Sequence, residues 1–339
     1  MRHSCARAVQ MLLACACLSY LPASAMDAAC RHAGSGADTL PLANRIAGLA
    51  AREHREFGGH RIDANGYLVR FGAVDSETEV LLDPDSGRRS SETSGRFAWR
   101  RVWEYWVVLN KRVPGETSDR KIVYVPGLLD DPETQASPKE MALGTLLPEL
   151  DRQAGGTGYP LREAAVRAAL NDSPWSAAFV SYVMHRAGLT DRQFRYSSTH
   201  SDYIKAAFDG APGNAYVPCD PHLVSPRAGD LLCYSRGNPP LKDFSAWRTA
   251  AAAPGFVTAS HCDVVVDVDI PARKFDTIGG NVMQAVTRRT LKLNEARVLS
   301  RSHQAVQSDA PLDHDCSVRK KCRRQNFNRQ YWSVLLRLK

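Results

Sequence analysis

Beyond its first 25 residues the chain has no apolar run approaching the ~20 residues that cross a bilayer, so no membrane-spanning segment is expected there. No pair of its cysteines has zinc-finger spacing, so no structural metal is expected, and no cofactor either. Internal repeats and low-complexity tracts are absent. Aromatic residues make up only 8% of the chain, and none interleave with basic residues as nucleic-acid motifs require. Asp83-Pro84-Asp85 opens like a calcium loop, but Arg88 stands where such a loop needs glycine. What remains is an ordinary globular composition, 44% hydrophobic and 24% charged over 339 residues, enough for one large domain or two modest ones.

The N-terminus reads as an export signal. Arg2 and Arg7 give it a positive start, Met11 to Leu21 a short apolar run, and Ala23-Ser24-Ala25 a small-x-small cleavage site. The alternative is a lipoprotein signal ending Leu12-Leu13-Ala14 before Cys15, although its apolar stretch is short. Cleavage after Ala25 removes two arginines and no acid, so net charge falls from +8 to +6. A mildly basic exported protein is drawn to anionic surfaces such as a cell wall, and export argues against nucleic acid as a partner. Six cysteines remain: Cys30, Cys219, Cys233, Cys262, Cys316 and Cys322. An oxidising compartment permits disulfides. Cys316 is close enough to Cys322, and Cys219 to Cys233, to close small loops, but the pairing is open.

Four segments follow: the signal at 1–25, an N-terminal extension at 26–112, a proline-rich irregular insertion at 113–160, and the main domain at 161–339. In the extension, apolar spacing predicts a helix over Leu40 to Phe57, stopped by Gly58-Gly59, and another over Arg96 to Asn110 with Trp99, Val102, Trp103, Trp106 and Leu109 on one face. Tyr67 to Phe71 and Glu79 to Leu82 read as strands. In the main domain, Leu161 to Leu170 reads as a short helix. A second runs from Pro174 to Ala187, with Ser173 as N-cap and Gly188 as stop. Asp230 to Tyr234 and Cys262 to Val268 read as strands, so the order is helices and then strands, an α+β class.

Ser176 lies in the first turn of that second helix, where unpaired backbone N–H groups and the positive dipole end favour an anionic nucleophile. His261 opens a strand, and Asn281 follows Gly279-Gly280. A nucleophile, a base and a polar residue orienting the base make a hydrolytic triad, whatever their spacing in the chain.

Four motifs give this set a context. Pro174-Trp175-Ser176-Ala177-Ala178-Phe179 resembles the nucleophile helix of papain-like CHAP and NlpC-type cell-wall peptidases, which reads Trp-Cys-Ala-Ala-Phe. Pro226-Arg227-Ala228-Gly229-Asp230-Leu231 is similar to their Pro-x-x-Gly-Asp strand entry, His261-Cys262-Asp263-Val264-Val265 to their histidine strand, and Ile278-Gly279-Gly280-Asn281 to their Ile-Glu-Gly-Asn strand end. The likeness spans residues 174 to 281 and is closest to an uncharacterised bacterial family of this kind whose helix carries Ser for Cys. It implies a papain-like α+β core: the Ser176 helix packed on a small antiparallel sheet that carries His261 and Asn281.

Two departures stand out. The family's nucleophilic Cys is Ser176 here, and the Glu of its Glu-Gly-Asn pattern is Gly279, leaving Asn281 to orient His261. Strand alternation implies that Cys262 faces away from the helix if His261 faces it. Trp175, His200, Tyr203 and Arg236 are candidate substrate contacts, with Arg236 suited to a carboxylate, whereas His185 and His314 read as surface residues. The resemblance implies a peptidoglycan amidase or endopeptidase acting on cell-wall peptide or glycan. The alternative is an inactive relative that binds peptide, glycan or lipid.

The export reading is directly testable. Mass spectrometry of protein from its native compartment is expected to find an N-terminus near Met26; an intact Met1, or a lipid on Cys15, would overturn it.

Overall fold

The computed structural model describes residues 29–30, 33, 39–75, 98–115, 121–124, 139–142, 167, 173–305 and 326–339. Among these residues the architecture is α+β, with five helices and an eight-stranded sheet. Helix α1 is Thr39–Glu56 and α2 is Ala98–Arg112; strands β1 (Arg61–Ile62) and β2 (Leu68–Arg70) lie between them in sequence. A separate hairpin pairs β3 (Lys121–Tyr124) with β4 (Lys139–Ala142). Then come α3 (Ser176–Ala187), α4 (His200–Phe208), β5 (Tyr216–Cys219), β6 (Leu231–Ser235) and α5 (Phe244–Ala251). Strands β7 (Ser260–Asp269), β8 (Lys274–Val282) and β9 (Ala285–Lys292) form an antiparallel meander, and β10 is Tyr331–Leu338.

The sheet runs β2-β1-β9-β8-β7-β6-β10-β5. Strand β1 joins parallel to β9, and the C-terminal strand β10 inserts between β5 and β6. Each face has its own apolar cluster. Cys233, Cys262, Val264 and Ile278 join α1, α2 and α3 in the larger one, while Leu232, Tyr234, Val265 and Trp332 fill the other.

The predicted α1 and α2 form within two residues of their expected bounds, and Gly58 and Gly59 stop α1 in the left-handed region at φ 71° and 80°. Trp99, Val102, Trp106 and Leu109 are buried in α2, with Tyr105, while Trp103 is half-buried. Glu53 of α1 is fully buried, accepting from Arg101 Nη2 at 2.6 Å and Tyr105 Oη at 2.8 Å. Arg101 also donates to Tyr182 Oη at 3.0 Å, so one carboxylate joins all three helices. Similarly, Arg337 of β10 donates to buried Asp230 at 3.0 Å and the Leu338 amide does so at 3.1 Å, fixing the C-terminal strand.

Helix α3 starts two residues later than the sequence predicts. Its N-cap is Trp175, which makes no side-chain cap, and Ser173 is not the cap; Gly188 ends the helix at φ 92° as expected. Glu79 to Leu82, most of the helix expected over Leu161 to Leu170, His314, Cys316 and Cys322 lie outside the described residues.

The disulfides correct one pairing. Cys219 bonds to Cys30, and Cys233 to Cys262, its direct partner across β6 and β7. Cys219 and Cys233 therefore close no loop together. The Cys262 side chain lies in the cluster beneath the helices, so alternation gives His261 and Asp263 the other face, with Tyr234.

The Cys30–Cys219 bridge closes a sequence separation of 189 residues. Cys30→Ser is expected to cost about 2–5 kcal/mol in denaturant unfolding, because long loops lose most from the unfolded ensemble. Peptide mapping without reductant should return both pairs; a Cys219–Cys233 peptide would refute this topology.

Candidate functional site

The site is assembled around the first turn of α3. Trp175, immediately before it, is fully buried; its indole donates to Asp75 Oδ2 at 2.8 Å and its ring stacks on Phe57 at 5.7 Å. That anchoring leaves Trp175 no exposed face for a ligand and makes it a core residue. The Phe179 amide closes on the Trp175 carbonyl at 3.0 Å, so the amides before it remain for capping or ligand contact.

Ser176 Oγ lies 2.6 Å from His200 Nε2. The other His200 nitrogen, Nδ1, is hydrogen-bonded to Tyr203 Oη. His200 and Tyr203 stand three residues apart on α4, hence on one face of it. The approach of α4 is tied from both sides. Ser181 on α3 donates to the Ser197 carbonyl at 2.9 Å, and Ser201 Oγ accepts from the Thr258 amide at 3.3 Å. Ser176 is 7% exposed and His200 4%. Burial, aided by the neighbouring His261 ring and the Arg236 guanidinium, holds the His200 pKa well below the usual histidine value. Neutral His200 can therefore accept the Ser176 hydroxyl proton.

His261 does not bond to Ser176. It sits beside His200, with ring centroids 5.0 Å apart, and its Nε2 lies 2.8 Å from Asp263 Oδ1. Asp263 Oδ2 accepts from Thr277 Oγ1 at 3.0 Å and pairs with Arg289 Nε at 3.2 Å. Burial alone would raise the Asp263 pKa, but Arg289, His261 and Thr277 outweigh it and hold the acid below the usual carboxylate range. His261 itself is lowered by burial, against the opposing pull of Asp263. An ionised Asp263 keeps the proton on Nε2 and leaves Nδ1 as an acceptor. Nδ1 is buried and has no hydrogen-bond partner among the described residues. Such an orphan costs on the order of 1–3 kcal/mol.

Asn281, the expected orienting residue, is half-buried at φ 53°, and among the described residues the partner of His261 is Asp263 instead. Asp263, Thr277 and Arg289 are the residues that sequence reasoning missed. A readable signal was present, because His-x-Asp on a strand places both side chains on one face. The same carboxylate explains Gly279: a Cβ there would stand 2.0 Å from Asp263 Oδ1, so no side chain has room. Gly280 faces the other way, where a Cβ would meet Phe179 Cβ at 2.6 Å.

Arg236, just past the end of β6, is exposed. It shares the strand face of Tyr234, which pairs with His261, and it has no ion pair among the described residues. His185 is half-buried, and its Nδ1 accepts from Arg112 Nε at 3.0 Å. Among the described residues no three His, Cys, Asp or Glu side chains group as metal ligands, and no helix is long and apolar enough to cross a membrane.

One family model, described as "Uncharacterized protein conserved in bacteria (DUF2272)", matches residues 129–338. The matched segment takes in Ser176, His200, Asp263 and the rest of the site except Phe57 and Asp75, which anchor Trp175. No curated protein and no solved structure matches the chain.

The histidines set an acid limit. His60 and His303, both buried, are lowered by burial to about 4, and His200 and His261 are also lowered. A folded pKa below the unfolded 6.5 means stability present above pH 6.5 and lost as pH falls through the folded value. His60 and His303 lose about 3 kcal/mol each between pH 6.5 and about 4. Asp230, raised by burial to about 6, works the opposite way over that window, but it is a single group against several histidines, His54 and His185 among them. The urea midpoint is therefore expected to fall between pH 7 and pH 4.5; a rising midpoint would contradict the buried neutral histidines.

Proposed function

This chain belongs to the DUF2272 family, and with its reacting groups inside the family segment we propose that it is an exported, cell-wall-directed hydrolase of the amidase or endopeptidase type. The observation that carries this reading is the 2.6 Å contact between Ser176 Oγ and the neutral His200 at a helix N-terminus. The motif resemblance to papain-like CHAP and NlpC-type peptidases supports it, and the two disulfides among the described residues suit an oxidising compartment.

In this reading Ser176 attacks the amide carbonyl as its proton passes to His200 Nε2. Amides of the first turn of α3 stabilise the oxyanion. His200 then gives the proton to the leaving amine. In the second half-reaction water bonds to the acyl carbon as its proton passes to His200, and the C–Oγ bond breaks as that proton returns to Ser176 Oγ, releasing the carboxylic acid. Tyr203 fixes the imidazole as the third group of the triad. His200 thus takes the base role that the sequence motif assigned to His261. Arg236 offers an exposed guanidinium for a substrate carboxylate.

The near-complete burial of Ser176 and His200 favours a second reading, an inactive relative that binds peptide, glycan or lipid in the same region. Kinetics on purified muropeptides separate the two. Ser176→Ala is expected to abolish turnover, His200→Ala to reduce it about 10²–10⁴-fold, and Ser176→Cys to retain or raise it, because the helix end and His200 favour a thiolate. Equal inertness of wild type, Ser176→Ala and Ser176→Cys, with equal binding of cell-wall fragments, would replace the hydrolase with the binding module. An active wild type matched by Ser176→Ala would move the active site elsewhere.

A further inference from the structure

Away from Ser176, helices α1, α2 and α3 enclose a cleft of about 400 Å³. Arg52 and Glu56 of α1, Arg100, Arg101 and Glu104 of α2, and Tyr182 and Arg186 of α3 line it. Tyr182 and Arg186 are four residues apart and share a helix face. At 3.6 residues per turn that face is rotated about 120° from Ser176, and Tyr182 lies about 9 Å further along the axis. The cleft is therefore separate from the Ser176–His200 contact.

Its floor is fixed from within. Arg101 donates to buried Glu53 at 2.6 and 3.0 Å, to Glu104, and to Tyr182 Oη at 3.0 Å. Glu104, one of the two acids in the lining, is thereby committed. Tyr182 is 1% exposed, and its oxygen accepts from Arg101, so its own hydroxyl proton has no acceptor among the described residues. The walls add guanidinium groups from all three helices. Arg52 Nε stands 3.6 Å from Glu53 Oε1, too far for a hydrogen bond. Arg186 is exposed and has no ion pair among the described residues. Arg100 rests over the Trp99 ring, 5.3 Å from its centroid. Four arginines against Glu56 and Glu104 leave the lining at +2, and Glu53 beneath it lowers the whole to +1.

The side chains with donors still to place are thus Tyr182, Arg52 and Arg186. Donors gathered on a positive, polar cleft call for an oxyanion. Three donor groups around one space suit the three outer oxygens of a phosphate better than the two of a carboxylate. The volume is that of a small-molecule site and exceeds what a bare ion fills.

We propose that this cleft binds a phosphate group carried on a small polyol, with Tyr182 Oη, Arg52 and Arg186 donating to its oxygens. The site stands independently of the hydrolase reading. Five of its seven lining residues lie on α1 and α2, before the family match begins at residue 129, and α3 closes it from inside the match. A free polyol phosphate and the glycerophosphate headgroup of a lipid share this chemistry.

Isothermal titration of the mature chain with glycerol 3-phosphate, inorganic phosphate and citrate tests the proposal, alongside co-sedimentation with phosphatidylglycerol vesicles. Glycerol 3-phosphate is expected to bind one per chain and more tightly than inorganic phosphate. Arg186→Ala, at an exposed position, and Arg52→Ala, on a different helix, should each weaken it about tenfold or more. Arg186→Lys keeps the charge but loses the fork, and should weaken it less than Arg186→Ala. Arg195→Ala removes an exposed arginine outside the cleft and should bind within about twofold of wild type. Unfolding midpoints near that of wild type show that the variants are folded. Vesicle binding that glycerol 3-phosphate competes away, and that Arg186→Ala loses, identifies the lipid headgroup as the source; titration heat without vesicle binding identifies the free ester. Citrate binding as tightly as glycerol 3-phosphate would overturn the phosphate assignment. Equal losses in Arg195→Ala and Arg186→Ala would reduce the effect to general surface charge. No heat with any of the three anions and no vesicle binding would leave the cleft a solvated groove and end the proposal.

Discussion

The double glycine of β8 is the constraint on which the rest of the site depends. Gly280 lets the strand press against Phe179 and Trp175 at the start of α3, and Gly279 lets it press against Asp263 and His261 on the other side. A Cβ at either position would meet atoms 2.0 to 2.6 Å away, closer than any core tolerates without moving backbone. This close approach sets how near the α3 N-terminus can come to the histidine strand. It also leaves no room for a side chain at position 279. The carboxylate that supports His261 comes from two residues along its own strand, and the neighbouring strand has been cleared to make room for it.

Around that contact, buried ion pairs hold the elements in register. Glu53 with Arg101 ties α1 to α2 and, through Tyr182, to α3. Asp230 with Arg337 locks β10 against the turn leading into β6. Asp263 with Arg289 joins β7 to β9 across β8. Such pairs add little net stability over an apolar replacement, but removing one partner costs about 3–5 kcal/mol. Their effect is therefore geometric. Each charge has one low-energy place to be, and that fixes which helix face meets which strand. The segment before the family match contributes directly, because Glu53, Arg101 and Asp75 all lie N-terminal to residue 129.

Much of this was legible in the sequence, and the illegible part has a physical pattern. Helices α1 and α2 carried 3.6-residue periodicity, and α1 and α3 had glycine stops; each forms close to its expected bounds. Strands β9 and β10 did not stand out. Strand β9 reads Ala-Val-Thr-Arg-Arg-Thr-Leu-Lys, and its Arg289 is buried through Asp263, a partner 26 positions earlier. No local pattern announces a buried arginine whose carboxylate lies two strands away. The disulfides were unreadable for the same reason: Cys30 meets Cys219 only because β5 is an edge strand of the finished sheet. At the site, the residue types were visible but the pairing was not. His200 and Tyr203 read as groove residues, because nothing in a single sequence says that the start of α4 is brought over the start of α3.

On the hydrolase reading, a serine nucleophile makes that arrangement intelligible. A thiol near its ordinary pKa needs only the helix end and a modest electrostatic push to become a nucleophile, so its histidine can stand some distance away. A hydroxyl gains too little from a helix dipole to ionise; it must lose its proton during the attack to a base already in hydrogen-bonding contact. His200 at 2.6 Å meets that requirement, and its burial keeps it neutral and able to accept. His261, held by Asp263 with its basic nitrogen unengaged, does not. On the hydrolase reading, then, a serine where a thiol could stand shifts the demand from a low nucleophile pKa to a short, fixed contact. That contact is supplied by α4, an element whose place in the fold depends on ties to Ser181 and Thr258 on either side of it.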